Sequence, residues 1–443
     1  MSSQKNITLY VQTPIQTKRM PMKKIAQFHQ PDKPNSKHLV LAVDVSSRLL
    51  DLYSRYRQGG REFELSESFL NDLPTIHQKL DEYHKQAHGL GYSGLSIVVE
   101  PSGCYEKKLT HTALQRGFDV WTVNPERMYK AGVVHHGDDG KSDPLDGKVL
   151  FMMAQMGKVS RLIPLPPQWQ KLRQLGLWME DCTLAAADAR IHIGAIRREL
   201  FADWRQSGDL TWGPTGLAIQ HIYGFDPWKI TKDSFSGYIA RMRAHHKGLH
   251  QRCLDSIWQQ AQSSCQAPLS SIQREAITDQ LEHYWETWSL HQSRKDTLGQ
   301  KMIDVVDQFD PGYWIPPLMS GFTELTRAKI LAETGPLRQF PHWRALLAYA
   351  GLKVRMRSSG KYRGQDKITK KGRVLLRKHL GQAAWVLARK DRVLGPYYHR
   401  KLSEGMPPRK AKVACMRKLI KLLYGAAKSS QQFNLERVYR SAG

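Results

Sequence analysis

Two kinds of hydrophobic pattern alternate along the chain: continuous apolar runs, and segments whose apolar residues recur every three or four positions. Leu39-Val40-Leu41-Ala42-Val43 and Leu95-Ser96-Ile97-Val98-Val99 have the unbroken character of strands buried on both faces of a sheet. Leu49–Tyr56 and Glu62–Leu65 read as two more strands of a meander, with a polar helix to follow over 69–86. Tyr105–Arg116 reads as a helix that Gly117 ends, and Phe118–Val123 as a further strand. Antiparallel strands first and strand–helix–strand units afterwards predict an α/β domain with a mixed sheet over 38–165.

Beyond 165 the period changes. Leu172, Leu175, Met179, Cys182, Ala186, Ala189, Ile193, Ile196 and Leu200 alternate steps of three and four, a heptad seam that predicts a coiled coil. A second seam runs Leu281, Tyr284, Trp288, His291, Lys295, Leu298, Met302, Val305 and Phe309, with two polar breaks. Two interpretations fit this helical coiled-coil region over 166–310: a self-contained helical hairpin, or a stalk that dimerises the chain. The aromatic-rich stretch between the seams (Trp204, Trp212, Tyr223, Phe225, Trp228, Phe235, Tyr238) has no assignable pattern. Residues 311–443 predict a mainly helical domain with a loop-rich opening.

Charge sharpens this outline. The 443 residues hold 67 Lys or Arg against 40 Asp or Glu, a net charge of +27, at 41% hydrophobic and 24% charged composition. That is globular composition with cations mounted on folded structure, so polyanions and above all nucleic acid are the expected partners. Residues 353–421 alone carry 22 Lys or Arg against three acids, and one-signed charge at that density reads as a phosphate-binding surface. Residues 1–37 form a basic, proline-interrupted arm, either a solvated leader or a segment that orders on nucleic acid. The five cysteines contain no C-x-x-C pair, which argues against a disulfide framework or a cysteine-rich zinc site. No apolar run approaches the ~20 residues of a membrane span. A cytoplasmic, nucleoid-associated protein with no membrane partner is expected.

Candidate chemistry gathers at two places. Asp44 and Glu100 each follow a continuous apolar strand, which sends them to the carboxyl edge where open α/β sheets build their sites. Asp143 and Asp146, in Lys141-Ser142-Asp143-Pro144-Leu145-Asp146, become neighbours on a first turn if a helix begins at Pro144. Taken singly, each has a bland reading as a cap, a turn residue or a member of an ion pair. Together, four converging carboxylates repel unless a cation sits among them. All-oxygen ligation suits Mg²⁺ or Mn²⁺, and such ions serve phosphodiester cleavage. The second place is Ser358-Ser359-Gly360, set among Arg355, Arg357, Lys361 and Arg363, with Lys370, Lys371, Arg373 and Arg377 extending the basic run. Those cations suit a phosphate, although Ser before Gly is also an ordinary turn. The sequence has no G-x-x-x-x-G-K-[ST] phosphate loop.

In their order along the chain, Asp44, Glu100-Pro-Ser-Gly103, Val123-Asn-Pro125, Lys141-Ser-Asp-x-x-Asp146, Ala348-Tyr-Ala-Gly-Leu352, Ser359-Gly360 and Val413-Ala-Cys-Met-Arg-Lys418 resemble the DEDD transposases of the insertion-sequence one-ten family. These are the bridge-RNA-guided recombinases, with the Piv-type invertases as relatives. The resemblance spans roughly 38–430. It implies a ribonuclease-H-like (RuvC-type) domain in which Asp44, Glu100, Asp143 and Asp146 hold the metal. It further implies a coiled-coil stalk, and a helical C-terminal domain in which Ser359 is the nucleophile that forms a covalent serine–DNA intermediate. The implied partners are donor and target DNA, a structured bridge RNA and further copies of the chain, as a dimer or tetramer with active sites shared between protomers. Ile315–Phe322 stands where the family has a Pro-Gly-x-Gly-like hairpin. Two other functions fit the residues themselves: a metal-dependent junction-resolving nuclease without serine chemistry, and a non-catalytic RNA-binding scaffold.

Overall fold

The computed structural model describes residues 33–101, 103–136, 143–204, 210–309, 321–355, 358–359, 362–363 and 367–429. Most of the basic arm at the N-terminus, the opening of the C-terminal region and the candidate residues Arg357 and Lys361 lie outside these. The chain divides into two compact units, Met1–Pro164 and Leu165–Gly443.

The first unit is built on a six-stranded mixed sheet of order β3-β2-β1-β4-β5-β6, from β1 (His38–Val45), β2 (Leu49–Gln58), β3 (Arg61–Leu70), β4 (Gly94–Val99), β5 (Asp119–Val123) and β6 (Val159–Arg161). The first three strands pair antiparallel, β1–β4 and β4–β5 pair parallel, and β6 returns antiparallel to β5. Helices α1 (Leu73–Gly89), α2 (Lys107–Gln115), α3 (Pro125–His136) and α4 (Asp143–Gln155) connect or cover the strands. Leu39, Leu41 and Val43 pack on one face with Ile76 and Leu80 of α1. Val40 and Ala42 pack on the other face with Val149, Leu150 and Met153 of α4. Both faces are buried, which is why β1 and β4 read as unbroken apolar runs. The meander is longer than its pattern predicts, because Phe69 and Leu70 extend β3 and pair with Leu50 and Leu49. The helix expected from 69 therefore begins at 73, where Asp72 accepts a hydrogen bond from the Thr75 amide at 2.9 Å.

The second unit is helical. Its long helices are α5 (Pro167–Leu200) and, after α6 (Pro214–Tyr223), α7 (Pro227–Lys232), α8 (Phe235–His245) and α9 (Gln251–Ser264), α10 (Ser271–Phe309). The two seams face each other within one chain. A Cβ placed on Gly176 would meet Met302 at 3.6 Å, one on Gly299 would meet Met179 at 3.7 Å, and the His192 and Tyr284 rings stack at 4.4 Å. Partners on α10 thus fall in number as those on α5 rise, so the pair runs antiparallel. The unassigned aromatic stretch forms α6–α9, whose Tyr223, Phe225, Tyr238 and Met242 build a core with Ile193, Ile196 and Leu281 from the seams. At the other end α11 (Glu324–Thr334), α12 (Trp343–Tyr349), α13 (Val374–Leu387), α14 (Gly395–Ser403) and α15 (Pro408–Ser429) share one core with Leu172, Met179, Leu298 and Met302. Two-residue strands β7 (Val354–Arg355), β8 (Ser358–Ser359), β9 (Tyr362–Arg363) and β10 (Lys367–Ile368) lie between α12 and α13.

Candidate functional site

The parallel ladder of β1 and β4 runs from His38 opposite Gly94 to Val43 opposite Val99. Asp44 follows Val43 within β1, and Glu100 is the first residue after β4, so both come to the carboxyl edge of the sheet. Alternation within β1 places Asp44 on the side of Val40 and Ala42, the face that α4 covers. Asp44 is half-buried, and one of its carboxylate oxygens accepts a hydrogen bond from the Val45 amide at 2.9 Å.

The third element of the site is the start of α4, which begins at Asp143, one residue earlier than the proline suggests. Gly147 sits against Tyr53: a Cβ there would come within 2.9 Å of the tyrosine Cβ. Tyr53 is the cross-strand partner of Ala42, two residues before Asp44 on the same face. Lys148 ties the turn down further, ion-paired to Glu64 at 3.3 Å and lying over the Tyr53 ring. Hydrogen bonds from Arg55 first, then Tyr53 and Lys148, hold the Glu64 carboxyl below its ordinary value. Asp143 and Asp146 thus start a helix anchored to the face that carries Asp44. The Asp143 side chain lies outside the described residues, and among the described residues no group of three or more His, Cys, Asp or Glu is arranged to hold a metal.

Asp51 was not singled out from the sequence. It lies directly opposite Asp44 in the β1–β2 ladder and therefore on the same face, and its carboxylate accepts a hydrogen bond from the hydroxyl of Ser68. The signal was present in the two-residue tip between Ser46 and Leu49, which fixes that register once the hairpin is recognised. Asn124 has a local role: its side chain accepts from the Arg127 amide at 3.2 Å and caps α3 where β5 ends, which accounts for Val-Asn-Pro as a strand-to-helix junction.

In the second unit, Val354 pairs with Ile368 and Arg355 with Lys367 in one short antiparallel ribbon, and Ser358 pairs with Arg363 and Ser359 with Tyr362 in a second. Ser359 therefore lies in the second of these ribbons, opposite Tyr362. The base of the first ribbon is tightly built. Gly351 has φ 68° and Gly372 has φ 153°, and a Cβ on Gly372 would lie 2.3 Å from the Tyr349 carbonyl; only glycine allows that approach. Arg373 pairs through Nε with the buried Glu333 at 3.1 Å, and Arg377 donates to the Ala350 carbonyl at 3.1 Å. These two cations hold the first ribbon's base, whereas Lys370 and Lys371 are exposed.

Residues 318–399, which include both ribbons, match the Transposase IS116/IS110/IS902 family. At family level this supports a transposase that binds and cuts DNA. No curated protein matches the chain. Among solved structures, a type II variant of the Aquifex aeolicus Ppx/GppA phosphatase is similar at 14% identity over 55% of this chain and 93% of that one, with a TM-score of 0.17. A second structure of the Aquifex aeolicus family member is 15% identical over 58% of this chain and 98% of that one, also at 0.17. Likenesses at that score carry no argument. No helix among the described residues is long and apolar enough to cross a membrane.

Proposed function

We propose that the chain is a bridge-RNA-guided DNA transposase that cuts and exchanges strands through a carboxylate-bound divalent cation and a serine nucleophile. The observation that carries the metal half is the parallel pairing of β1 and β4, which ends at Val43 opposite Val99 and brings Asp44 and the residue after β4, Glu100, to one edge of the sheet. The strand order, with two antiparallel pairings followed by parallel ones, supports reading the first unit as ribonuclease-H-like. Asp44, Glu100, Asp143 and Asp146 would hold Mg²⁺ or Mn²⁺, and their all-oxygen donor set fits those ions. When bound, the ion neutralises charge building on the scissile phosphate.

The serine half rests on the family match over 318–399 and on the place of Ser359 in a short strand pair within the basic run. Its Oγ forms a bond to phosphorus as the bond from phosphorus to a deoxyribose oxygen breaks, and that oxygen leaves as a hydroxyl carrying a proton. The serine–DNA ester retains the phosphodiester energy, so a hydroxyl of another strand reverses the step without ATP. The exposed Lys370 and Lys371 supply positive charge for the phosphate. Target choice is delegated to base pairing with the structured RNA.

The test is trapping of the adduct. Ser359→Ala abolishes a denaturation-resistant protein–DNA adduct while DNA binding persists, and an adduct formed by that variant overturns the assignment. Asp143→Ala removes metal-dependent cleavage with the thermal melt unchanged. Full activity in that variant would make Asp143 a helix cap.

A further inference from the structure

Helix α15, the last among the described residues, carries no acidic residue along its whole length. Its inner face is buried through Ala411, Cys415, Leu419, Ile420 and Leu423. Helical spacing brings Lys410, Arg417, Lys418, Lys421 and Lys428 onto the opposite ridge. From Lys410 to Lys428 the ridge is about 27 Å long at 1.5 Å per residue. Its other positions are small: Ala414, and Gly425, where an added Cβ would meet nothing within 4 Å. The centre of the ridge is fenced by two rings. Lys421 and Arg344 lie over Trp343 on one side, at 5.8 and 4.8 Å. Lys418, Arg400 and Lys401 lie over Tyr397 on the other, at 5.9, 5.5 and 5.7 Å.

We propose that this ridge of α15 docks the phosphate backbone of double-stranded DNA. The ridge lies outside the residues argued above for the serine site, which end at Arg377, and beyond the matched family segment, which ends at 399. It deepens the proposed function by assigning where duplex is held, and it rests on that reading only in taking DNA as the polyanion. The cations over Trp343 and Tyr397 take up ring surface on which unpaired bases would otherwise stack. A duplex turns phosphates outward, and one-signed cations on a ridge of small residues meet them without reading sequence. The cations are crowded: burial first, then Lys421 and Arg400, push the Lys418 amine below its ordinary value. Glu404 pairs with Lys401 and Arg400 on α14, and α15 contributes no carboxylate of its own. A polyanion relieves that repulsion.

The experiment is equilibrium binding of the full chain to a random-sequence DNA duplex in EDTA, which removes metal chemistry and strand cleavage from the readout. Lys418→Ala/Lys421→Ala is expected to weaken duplex binding roughly ten- to a hundredfold at ~0.1 M salt, and to flatten the slope of log K against log salt by about 2. Lys418→Arg/Lys421→Arg retains both, which separates charge from folding. An unchanged slope in the alanine variant overturns the proposal. So does a loss confined to single-stranded RNA, which would assign the ridge to the guide instead. Loss of cleavage in the serine or carboxylate variants leaves this binding untouched, so the two readings fail separately.

Discussion

At the scale of single residues, small side chains and buried titratable groups decide most. Gly147 and Gly132 both lie inside helices, where alanine is intrinsically better by about 1 kcal/mol. A Cβ at Gly132 meets nothing within 4 Å, whereas one at Gly147 meets Tyr53 at 2.9 Å. Gly132→Ala is expected to stabilise the protein by up to ~1 kcal/mol, and Gly147→Ala to destabilise it by roughly 1–2 kcal/mol through overpacking. Urea titrations of the two variants check the contrast. His379 of α13 is nine-tenths buried, and its Nδ1 has no hydrogen-bond partner. Burial first, and then Lys329, hold its imidazole below the ordinary 6.5, against the upward pull of Gln382, Glu180 and Glu333. Below pH 6.5 the unfolded chain binds the proton that the folded chain refuses. The stability this group contributes is thus complete above 6.5 and lost as pH falls. Thermal melts taken downward from about pH 7.5 should fall more steeply for the parent than for His379→Gln, and parallel curves would refute the linkage.

At the scale of elements, the heptad seams show what a pattern specifies and what it leaves open. Period and face were legible: Leu172, Met179, Cys182, Ala186, Ala189, Ile193, Ile196 and Leu200 are all buried. The partner was not legible, because a seam of small and apolar residues reads the same whether it meets its own chain or another. Here α5 meets α10, and the half-buried Tyr284, Trp288, His291 and Lys295 occupy the seam where α10 departs from apolar spacing. Ala189, 2% exposed, and Leu184, 59% exposed, stand on opposite sides of α5. Ala189→Glu buries a charge without a partner and is expected to cost roughly 3 kcal/mol or more. Leu184→Glu should stay within about 0.5 kcal/mol. Chemical denaturation of both variants measures the difference.

At the scale of the whole molecule, each compact unit has its own cores: two on the faces of the sheet, and two at the ends of the α5–α10 pair. A fragment spanning 33–164 is therefore expected to melt cooperatively on its own with native-like strand content. A molten fragment would show that it depends on the rest of the chain. The proposed metal ligands and the proposed nucleophile fall in different units, so activity needs both. Mixing Asp143→Ala chains with Ser359→Ala chains restores strand exchange if sites are shared between copies, and leaves it absent if each site draws on one chain.

Sequence alone determined those features that depend on neighbours along the chain. The strands that bury both faces, the helical period of the seams, the helix beginning beside Pro144 and the one-signed charge of the C-terminal region follow from local spacing and side-chain chemistry. Tertiary structure decided whatever depends on which elements meet. Pairing Asp44 with Asp51 across a ladder required the strand register, and bringing Asp44 and Glu100 to one sheet edge required the parallel pairing of strands whose partners lie 56 residues apart. Folding α6–α9 into one core required aromatic side chains that share no period to find common neighbours. Arg373 and Arg377 likewise read as phosphate ligands in a list of cations, and only the fold hands them to Glu333 and the Ala350 carbonyl. A charge has no direction until a backbone aims it.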